Sequence, residues 1–357
     1  MNNPAVLLLI FRRADLVIQQ IDALRLVRPE RLYVAADGPR ADHPGEASSC
    51  NLARRALTLI DWPCQVKTLF RPQNLGVRRA VSQAIDWFFE NEEQGIILEE
   101  DCLPHPDFFP FCAALLEKYR NDPRIMQISG TNFQPQARAA GKSYFFSRYN
   151  HVWGWATWRR AWALYRPRME GLREFLEEAR TSGFWENRRE EKYWTKIFFR
   201  AWSNRVDSWA YRWSFSMWAE GGLCIYPESN LVANLGFRSD GTNTKGLDKR
   251  KANRPLTPLK ALVHPVTVIP CRRADLWTFE HLYWGDSVPR FIHHLERLGE
   301  LGSQALRKVL SELRNRTPWG RNPRPSSLRA RIRSKWRGVS KLEERSNQRM
   351  TAANPKR

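Results

Sequence analysis

Three consecutive carboxylates, Glu99, Glu100 and Asp101, follow the short apolar run 96–98. The run has the composition of a buried strand, and in open α/β sheets ligands bind in the crevice beyond the carboxyl ends of the strands. Adjacent carboxylates repel one another unless a cation lies nearby, and a hard divalent cation completes its shell with water and substrate phosphates. The pattern therefore predicts a site for a metal-bound nucleotide. The alternative is a solvated acidic turn.

Two further polar positions follow predicted strands. Asp37 ends the apolar run 31–36 and precedes Gly38, which suits a contact with a base or ribose hydroxyl but is also typical of an ordinary turn. Asn74 opens a predicted helix that carries Arg78 in its first turn. Backbone N–H groups and a guanidinium group at a helix N-terminus favour a diphosphate. The segment matches neither a Gly-rich dinucleotide motif nor a Walker loop.

The elements that must position these residues alternate between strand and helix. We predict strands at 5–11, 31–36, 64–70, 96–98, 124–129, 223–227 and 266–269, and helices at 15–26, 51–60, 74–89 and 108–119. This alternation predicts an α/β fold with a Rossmann-like, mainly parallel sheet flanked by helices.

The composition is that of a globular chain. Its 357 residues, 42% of them hydrophobic, suffice for one large α/β domain with appendages or for two domains. The net charge of +21 indicates anionic partners. The six cysteines show no metal-ligand spacing and predict free thiols in a reducing compartment. No apolar run reaches about 18 residues, and the first one lacks a preceding positive charge, so we expect a cytoplasmic protein, soluble or peripheral on the membrane.

Tryptophan is the most unusual feature of the composition, with sixteen residues, several of them concentrated around Gly154. A tryptophan at helical spacing is usually a core residue. So dense a set beside charged residues nevertheless favours a sugar-binding wall, because the C–H faces of pyranoses lie well on indole rings. The expected acceptor-binding residues are Trp153, Trp155, Trp209 and Trp213.

Five motifs occur in a fixed order along the chain. They are N-x-G at Asn74, I-I-L-E-E-D at 96–101, G-W-A-T-W-R-R-A-W at 154–162, S-W-A-Y-R-W at 208–213 and P-E-S-N-L-V-A-N-L-G-F at 227–237. The series resembles bacterial glycosyltransferases of the nucleotide-diphosphosugar type, the haemolysin-like or family-2-like group, over residues 4–270. It is more distantly similar to N-acetylglucosaminyltransferase I. The resemblance implies a GT-A fold with a D-x-D-like motif that holds Mn²⁺ or Mg²⁺ on the donor diphosphate.

The resemblance also implies a reaction and its residues. The reaction would move a hexosyl or N-acetylhexosaminyl group from a nucleotide-diphosphosugar, first of all a UDP-sugar, to a hydroxyl of a glycan or lipid-linked acceptor in bacterial surface polysaccharide or glycolipid synthesis. Inversion at the anomeric carbon is expected on the same ground. The implied metal ligands are Asp101 and His264, and the implied donor-binding residues are Asp37, Asn74, Arg78, Glu99 and Glu100. A lone histidine is otherwise more often a core or surface residue.

Two positions depart from the family pattern. Ala210 stands where the motif T-W-D-Y-Q-W has the Asp expected to act as general base, so Asp207 is the nearest replacement. Asn243 stands where the loop D-A-T-H-T has a histidine. These changes affect acceptor chemistry more than donor binding, and they leave open a pseudoenzyme that binds a nucleotide sugar or glycan without turnover.

Two other classes of protein fit less well. A sugar-1-phosphate nucleotidyltransferase needs a Gly-rich loop after the first strand, and residues 11–15 contain no glycine. Nucleic-acid binding would explain the net charge and the aromatic residues, but no recognised nucleic-acid module occurs and the acids lie at the centre of the predicted site.

The expected organisation is a glycosyltransferase domain at 1–285, with a nucleotide-sugar half at 1–130 and an acceptor-side half at 131–285, followed by a basic extension at 286–357. Residues 307–357 contain sixteen Lys and Arg against three acids. Apolar residues and a Trp recur there at helical spacing, which predicts reversible attachment to an anionic membrane surface. A solvated, partly disordered tail is the alternative, with nucleic-acid binding a minor third one.

Overall fold

The computed structural model describes residues 4–135, 138–139, 141–238, 254–259 and 261–284. The strands are β1 (Ala5–Ile10), β2 (Arg31–Ala36), β3 (Gln65–Phe70), β4 (Gln94–Glu99), β5 (Cys102–Pro104), β6 (Ile125–Ser129), β7 (Tyr144–Ser147), β8 (Trp155–Trp158), β9 (Leu223–Pro227) and β10 (Val232–Asn234). The α-helices are α1 (Ala14–Val27), α2 (Glu46–Arg55), α3 (Gly76–Asn91), α4 (Phe108–Lys118), α5 (Arg159–Trp162), α6 (Leu172–Thr181), α7 (Arg188–Trp202), α8 (Trp209–Ala219) and α9 (Arg272–Thr278). A 3₁₀ turn (Ala56–Leu59) follows α2, and a π-helical turn (Phe279–Trp284) follows α9.

Within the described residues, the central sheet has eight strands in the order β3-β2-β1-β4-β8-β6-β9-β7. Six of them run in one direction, and β7 and β8 run against their neighbours. The apolar side chains of β1 and β4 are almost completely buried, as expected for strands covered on both faces. The α/β prediction with a mostly parallel sheet is therefore confirmed.

Strand order determines where a ligand crevice lies. From β1 the chain proceeds to β2 and then β3, and it returns to place β4 on the opposite side of β1. The strand order thus reverses between β1 and β4, and this reversal is the topological switch point at which open α/β sheets bind ligands. The loop after β1 contains residues 11–13, and β4 ends at Glu99, directly before Glu100 and Asp101.

Helix α3 packs on the sheet through Phe88, a fully buried residue. A Cβ atom built on Gly95 of β4 would lie 2.3 Å from the Phe88 ring, so the strand approaches the helix closely only because residue 95 is a glycine. The register of β4 puts Gly95 and Glu99 on the same face of the sheet. Glu99 therefore lies on the α3 side of the carboxyl edge.

A second, two-stranded sheet pairs β5 with β10 in antiparallel register, with Asn234 opposite Cys102. Strand β5 begins directly after Asp101, so this small sheet brings the motif 227–237 to the acids. Its glycine, Gly236, lies so close to Asp101 that a Cβ atom would be 2.2 Å from the carboxylate oxygen Oδ2.

Several predictions of local structure need correction. The region 144–162, interpreted as an aromatic wall, contains β7 and β8, and Trp155 belongs to β8. Helix α2 begins five residues before the predicted start, since the Glu46 carboxylate binds the Arg40 backbone and guanidinium and holds the start of the helix. The predicted strand at 266–269 does not form, and only Pro270 makes an isolated bridge, to Phe146.

The chain divides into two compact units. One consists of Met1–Phe175 and Thr195–Asp275 and contains both sheets, and the other consists of Leu176–Trp194 and the chain from Leu276. Within the second unit, the ring of Trp194 lies 4.8 Å from that of Tyr283. The basic extension at 286–357 lies outside the described residues. Among the described helices, none combines the length and apolarity needed to span a membrane.

Candidate functional site

The three acids lie at the switch point, and a cation of the chain itself lies between them. The Nε atom of Arg13 donates to Glu100 Oε1 at 2.6 Å, and an NH2 hydrogen donates to Asp101 Oδ2 at 2.8 Å. The second oxygen of Glu100 accepts from the backbone N–H of Phe11 at 2.7 Å. We call Arg13, Glu99, Glu100 and Asp101 the acid cluster. The cation that three adjacent carboxylates require is therefore present in the folded chain.

Burial determines the protonation behaviour of this cluster. Burial, followed by the negative charge of Asp101, raises the pKa of the Glu99 carboxyl to about 8. Burial also raises the pKa of Glu100, although Arg13 and the Phe11 N–H favour its charged form. Burial lowers the pKa of Arg13, but Glu100 and Asp101 outweigh this effect and raise it overall. Arg13 is therefore a permanent cation.

The segment after β10 closes over the acid cluster. The backbone N–H of Leu235 donates to the carbonyl oxygen of Asp101 at 2.7 Å. Farther along, Arg238 donates to Asp15 Oδ2 at 2.5 Å, so the segment is tied to the start of α1 as well. The motif 227–237 thus positions Asp101 through backbone contacts.

Asp37 and Asn74 hold one loop in place. Both carboxylate oxygens of Asp37 accept from the backbone N–H of Leu75, at 3.0 and 3.1 Å, and Oδ1 also accepts from Gly38. The Asn74 side chain donates to the Gly38 carbonyl oxygen at 2.9 Å. Burial raises the pKa of Asp37, while the Leu75 N–H favours its charged form. These residues join the end of β2 to the start of α3, and a contact of Asp37 with a nucleoside stays a prediction.

Arg78 contacts the residue predicted to act as base. Its Nε atom lies 3.0 Å from Asp207 Oδ1, and NH1 donates to Asn204 Oδ1 at 2.7 Å. A Cβ atom on Gly76, which has a φ of +77°, would lie 3.2 Å from Asp207 Oδ2. Asp207 therefore lies over the N-terminus of α3, and the structure brings together two residues that are 129 positions apart. We call the ion pair between Asp207 and Arg78 the Asp207 pair. Asn204 supports it by accepting from Arg78.

Arg212 fixes the loop that carries Asp207. The side chain is buried and donates to the carbonyl oxygens of Pro167, Ser208 and Ala201, and to Asn204 Oδ1 at 3.0 Å. Burial, followed by the charge of Arg78, lowers the pKa of Arg212. One guanidinium thus binds four acceptors. Two of them lie in the loop before α8, one lies near the end of α7, and one is Pro167.

Three of the four tryptophans assigned to the acceptor do not form an exposed wall. Trp155 and Trp213 are fully buried and Trp209 is 3% exposed. Trp155 stacks on Trp209 with ring centroids 5.7 Å apart, and Trp213 donates to Gln127 Oε1 at 2.7 Å. These rings are core residues between β8 and α8, because strand β8 directs Trp155 inward. Their assignment to acceptor binding needs correction.

Trp153 differs from them because it is only half-buried. Its ring lies 5.6 Å from that of Phe237, which follows Gly236 in the segment that closes over Asp101. Trp153 therefore lies beside the acid cluster and remains a candidate to stack on a sugar.

His264 is not positioned to share a metal with Asp101. Its Nδ1 atom forms a hydrogen bond of 2.9 Å with the Tyr144 hydroxyl on β7, the edge strand of the sheet. Four steps between neighbouring strands separate β4 from β7, which at about 4.8 Å each is roughly 19 Å. Asp101 in addition contacts Arg13, on the side of β1. The assignment of His264 as second metal ligand is corrected on this ground.

The remaining carboxylates do not fit a divalent metal. All four oxygens of Glu100 and Asp101 accept hydrogen bonds, the last of them Asp101 Oδ1 from Cys102 Sγ at 3.6 Å. In the part of the chain that the structure describes, no group of three or more His, Cys, Asp or Glu side chains could hold a metal ion. All six cysteines are free, as the sequence predicts. The expectation of Mn²⁺ or Mg²⁺, which came from the three adjacent acids and from the resemblance, stays a prediction without support from the described residues.

Arg13 and Arg212 belong to the candidate site, although no sequence pattern assigned them a role. Arg13 could have been found from strand order, since it follows the first strand and the acids follow the strand that neighbours it in doubly wound sheets. Arg212 stands at the Gln position of the motif T-W-D-Y-Q-W, which belongs to the family that the sequence resembles. A long cation inside a Trp-rich helix is a signal in its own right, because arginine is rarely fully buried without partners.

No known protein-family model and no curated protein matches this chain. Among solved structures, it is similar to 4-diphosphocytidyl-2C-methyl-D-erythritol synthase from Anaerococcus prevotii, with a TM-score of 0.31 and 9% identity over 45% of this chain and 75% of that one. It is also similar to a cytidylyltransferase from Leptospira borgpetersenii, with a TM-score of 0.28 and 14% identity over 44% of this chain and 61% of that one. Likeness at this level supports no conclusion about activity.

Proposed function

We propose that this chain is a GT-A-type glycosyltransferase that moves a sugar from a nucleoside-diphosphate donor to an acceptor hydroxyl. The observation that carries the proposal is a half-buried guanidinium, that of Arg13, anchored by Glu100 and Asp101 at the topological switch point. A fixed cation in that crevice suits the diphosphate of a nucleotide ligand. A second support is the resemblance to glycosyltransferases, which suggests that the transferred group is a glycosyl group. The motifs that carry this resemblance lie at 74, 96–101, 154–162, 208–213 and 227–237.

The reaction needs a bond exchange at the anomeric carbon and a group that takes one proton. The acceptor oxygen forms a bond to the anomeric carbon, while the bond from that carbon to the diphosphate oxygen breaks and its electron pair leaves with the nucleoside diphosphate. The hydroxyl proton passes to a carboxylate, for which Asp207 is our candidate. Asp207 is 54% exposed, so an acceptor has access to it.

The remaining residues bind and orient in this proposal. Asp37 and Asn74 hold the loop beside the nucleoside, and Trp153 offers an indole face to a sugar. Glu99 faces the α3 side of the crevice, where the donor sugar would lie. We assign Glu100 the role of anchoring Arg13, because its side chain is buried and accepts from that arginine. This role replaces the donor contact that the resemblance implies.

One observation favours a second candidate, a protein of the same fold that binds a nucleotide sugar without turnover. Asp207 is paired with Arg78 at 3.0 Å, so an acceptor hydroxyl would have to compete with a guanidinium for that carboxylate. Ala210 leaves its own position in α8 without a carboxylate. This alternative shares the donor site and differs only in chemistry.

A two-stage measurement tests both candidates. The first stage is a thermal-shift screen of the full chain with UDP-, GDP-, CMP- and dTDP-sugars, with and without Mn²⁺. The second stage measures release of nucleoside diphosphate from the sugar that binds, in the presence of candidate glycan and lipid-linked acceptors. Binding with release supports the transferase, and binding without release supports the second candidate. Stabilisation by single-stranded RNA and by none of the nucleotide sugars would contradict both.

A further inference from the structure

We infer that the guanidinium of Arg13 is the cation that receives the donor's diphosphate, so that nucleotide binding at this site does not require a divalent metal. The inference rests on the proposed function and identifies the group that recognises the leaving diphosphate. It differs from the expectation raised by the resemblance, in which a metal on Asp101 has this task.

The geometry leaves part of Arg13 available to a ligand. A guanidinium has five N–H donors in a rigid fork. Arg13 uses Nε for Glu100 and one NH2 hydrogen for Asp101, so within the described residues three donors remain for an anion. The side chain is 14% exposed, which gives a ligand access to one edge of the group. Phosphate oxygens match that edge because the fork binds two of them at once.

The two acids give Arg13 a single orientation before any ligand arrives. Glu100 is itself fixed by the Phe11 N–H at 2.7 Å, and Asp101 by the Leu235 N–H on its carbonyl oxygen. A cation that is already held in place loses little conformational freedom when it binds, and this preorganisation increases affinity. The acids therefore position the guanidinium and do not need to contact the nucleotide.

A metal ion and Arg13 would compete for the same oxygen. Mg²⁺ binds oxygen ligands at about 2.0–2.1 Å. Asp101 Oδ2 already lies 2.8 Å from a guanidinium nitrogen. Two cations so close would repel each other. The backbone of Gly236 covers the same oxygen, since a Cβ atom there would be 2.2 Å away. The structure thus accommodates one cation at Asp101, and Arg13 is that cation.

The first experiment uses the full chain without substitutions. Binding of UDP, GDP, CDP and dTDP is measured by calorimetry in excess EDTA and again in excess Mn²⁺, and Mn²⁺ alone is titrated into the protein. We expect at least one nucleotide to bind in EDTA within about threefold of its affinity in Mn²⁺. We expect no saturable binding of Mn²⁺ by the protein alone.

The second experiment compares two arginines. Arg13→Met keeps the length of the side chain and removes its charge, and we expect it to weaken nucleotide binding in EDTA by at least about tenfold, as for a lost charge-assisted bond. Arg25→Met is the matched control, because Arg25 also contacts two acids, Asp22 and Asp61, but on the surface of α1. Arg13→Lys, which keeps the charge, should fall between wild type and Arg13→Met.

The outcomes separate the inference from the proposed function. Nucleotide binding that EDTA abolishes and Mn²⁺ restores would overturn the inference and leave the proposed function intact. Saturable Mn²⁺ binding by the wild-type protein would have the same meaning, and this measurement needs no variant to fold. Unchanged affinity in folded Arg13→Met would also overturn it. If no nucleotide binds in either condition, the proposed function fails and the inference fails with it.

Discussion

The acid cluster and the Asp207 pair both join an arginine to carboxylate groups, but their surroundings differ. The side chains of Glu100 and Asp101 are 5% and 13% exposed, whereas that of Asp207 is 54% exposed. Arg13 reaches two acids through two hydrogen bonds, and Arg78 reaches one acid at 3.0 Å. The acid cluster is thus largely buried, and the Asp207 pair is open to solvent.

The difference indicates what each pair is suited to do. Removing one partner of a buried pair leaves an uncompensated charge and typically costs about 3–5 kcal/mol, whereas an exposed pair contributes about 0–1 kcal/mol. The acid cluster therefore contributes to the stability of the fold and gives Arg13 a fixed orientation. Asp207 makes little difference to folding and is accessible to an acceptor. The comparison can be tested by separating effects on stability from effects on turnover.

The largest expected effect is on turnover in Asp207→Asn. Loss of a general base lowers the rate by about 10²–10⁴-fold, and the exposed position of Asp207 predicts a change of less than about 1 kcal/mol in the free energy of unfolding. Donor affinity should be nearly unchanged. Release of nucleoside diphosphate, calorimetric donor binding and chemical denaturation measure the three quantities.

Asp61→Asn is the control for this variant. Asp61 is 64% exposed and lies 2.8 Å from Arg25, so the pair resembles that of Asp207 and Arg78 in exposure and geometry. It should change neither turnover nor donor affinity. Full activity in Asp207→Asn would remove the base role from Asp207 and direct the search to Glu220 or Glu228.

The second effect is on stability in Glu100→Gln. The variant removes the charge that faces Arg13 and turns an amide donor or a weaker acceptor toward the Phe11 N–H. We expect the free energy of unfolding to fall by about 3 kcal/mol. Glu117→Gln is the control, since its pair with Arg120 is exposed and should be worth less than about 1 kcal/mol. Equal losses in the two variants, measured by urea denaturation, would show that burial does not distinguish the pairs.

The strand framework was predictable because its hydrophobic runs are local. Strands β2 (Arg31–Ala36) and β9 (Leu223–Pro227) have the predicted bounds, and the acids lie at the carboxyl end of the predicted strand β4. The partner of the acids was not predictable from local pattern. Arg13 reaches Glu100 only because the chain places β4 beside β1 after forming β2 and β3, and that order is a property of the whole sheet.

The tryptophans give a second reason why part of the site could not be predicted from the sequence. Two tryptophans in the same sequence pattern can lie in the core or on a ligand surface. The fold decides between the two, because it sets where each residue lies and which way its ring faces. Trp155 points inward from β8, while Trp153, two residues earlier, lies in the loop before the strand and is half-buried. Arg78 and Asp207 likewise come from distant segments, whose contact depends on how α3 meets the loop before α8.

The third effect concerns Arg212, which determines how firmly the open pair is held. Arg212→Lys keeps a charge but loses the fork that reaches Pro167 and Ser208, so we expect a loss of about 2 kcal/mol in stability and a severalfold lower turnover with unchanged donor affinity. Arg160→Lys is matched, because Arg160 donates to the carbonyl oxygens of Tyr119, Arg120 and Ile125. It should destabilise similarly without changing turnover. A loss of turnover in both variants would reflect general destabilisation.

The smallest expected effect is a gain in Ala210→Asp. Residue 210 lies in the first turn of α8, where Ser208 caps the helix by accepting from the Tyr211 N–H at 3.4 Å. A carboxylate there interacts favourably with the helix dipole by about 0.3–1 kcal/mol, so stability should rise slightly whether or not the residue takes part in chemistry.

Turnover decides whether a carboxylate at position 210 takes part in the reaction. If Asp207 already acts as base, the gain over wild type should stay below about tenfold, while in the Asp207→Asn background Ala210→Asp should recover most of the lost rate. Ala210→Asn, of similar size and without charge, should recover none. A rate in the double variant that equals that of Asp207→Asn alone would mean that position 210 does not face the acceptor, and that the base function of this chain belongs to the loop before α8.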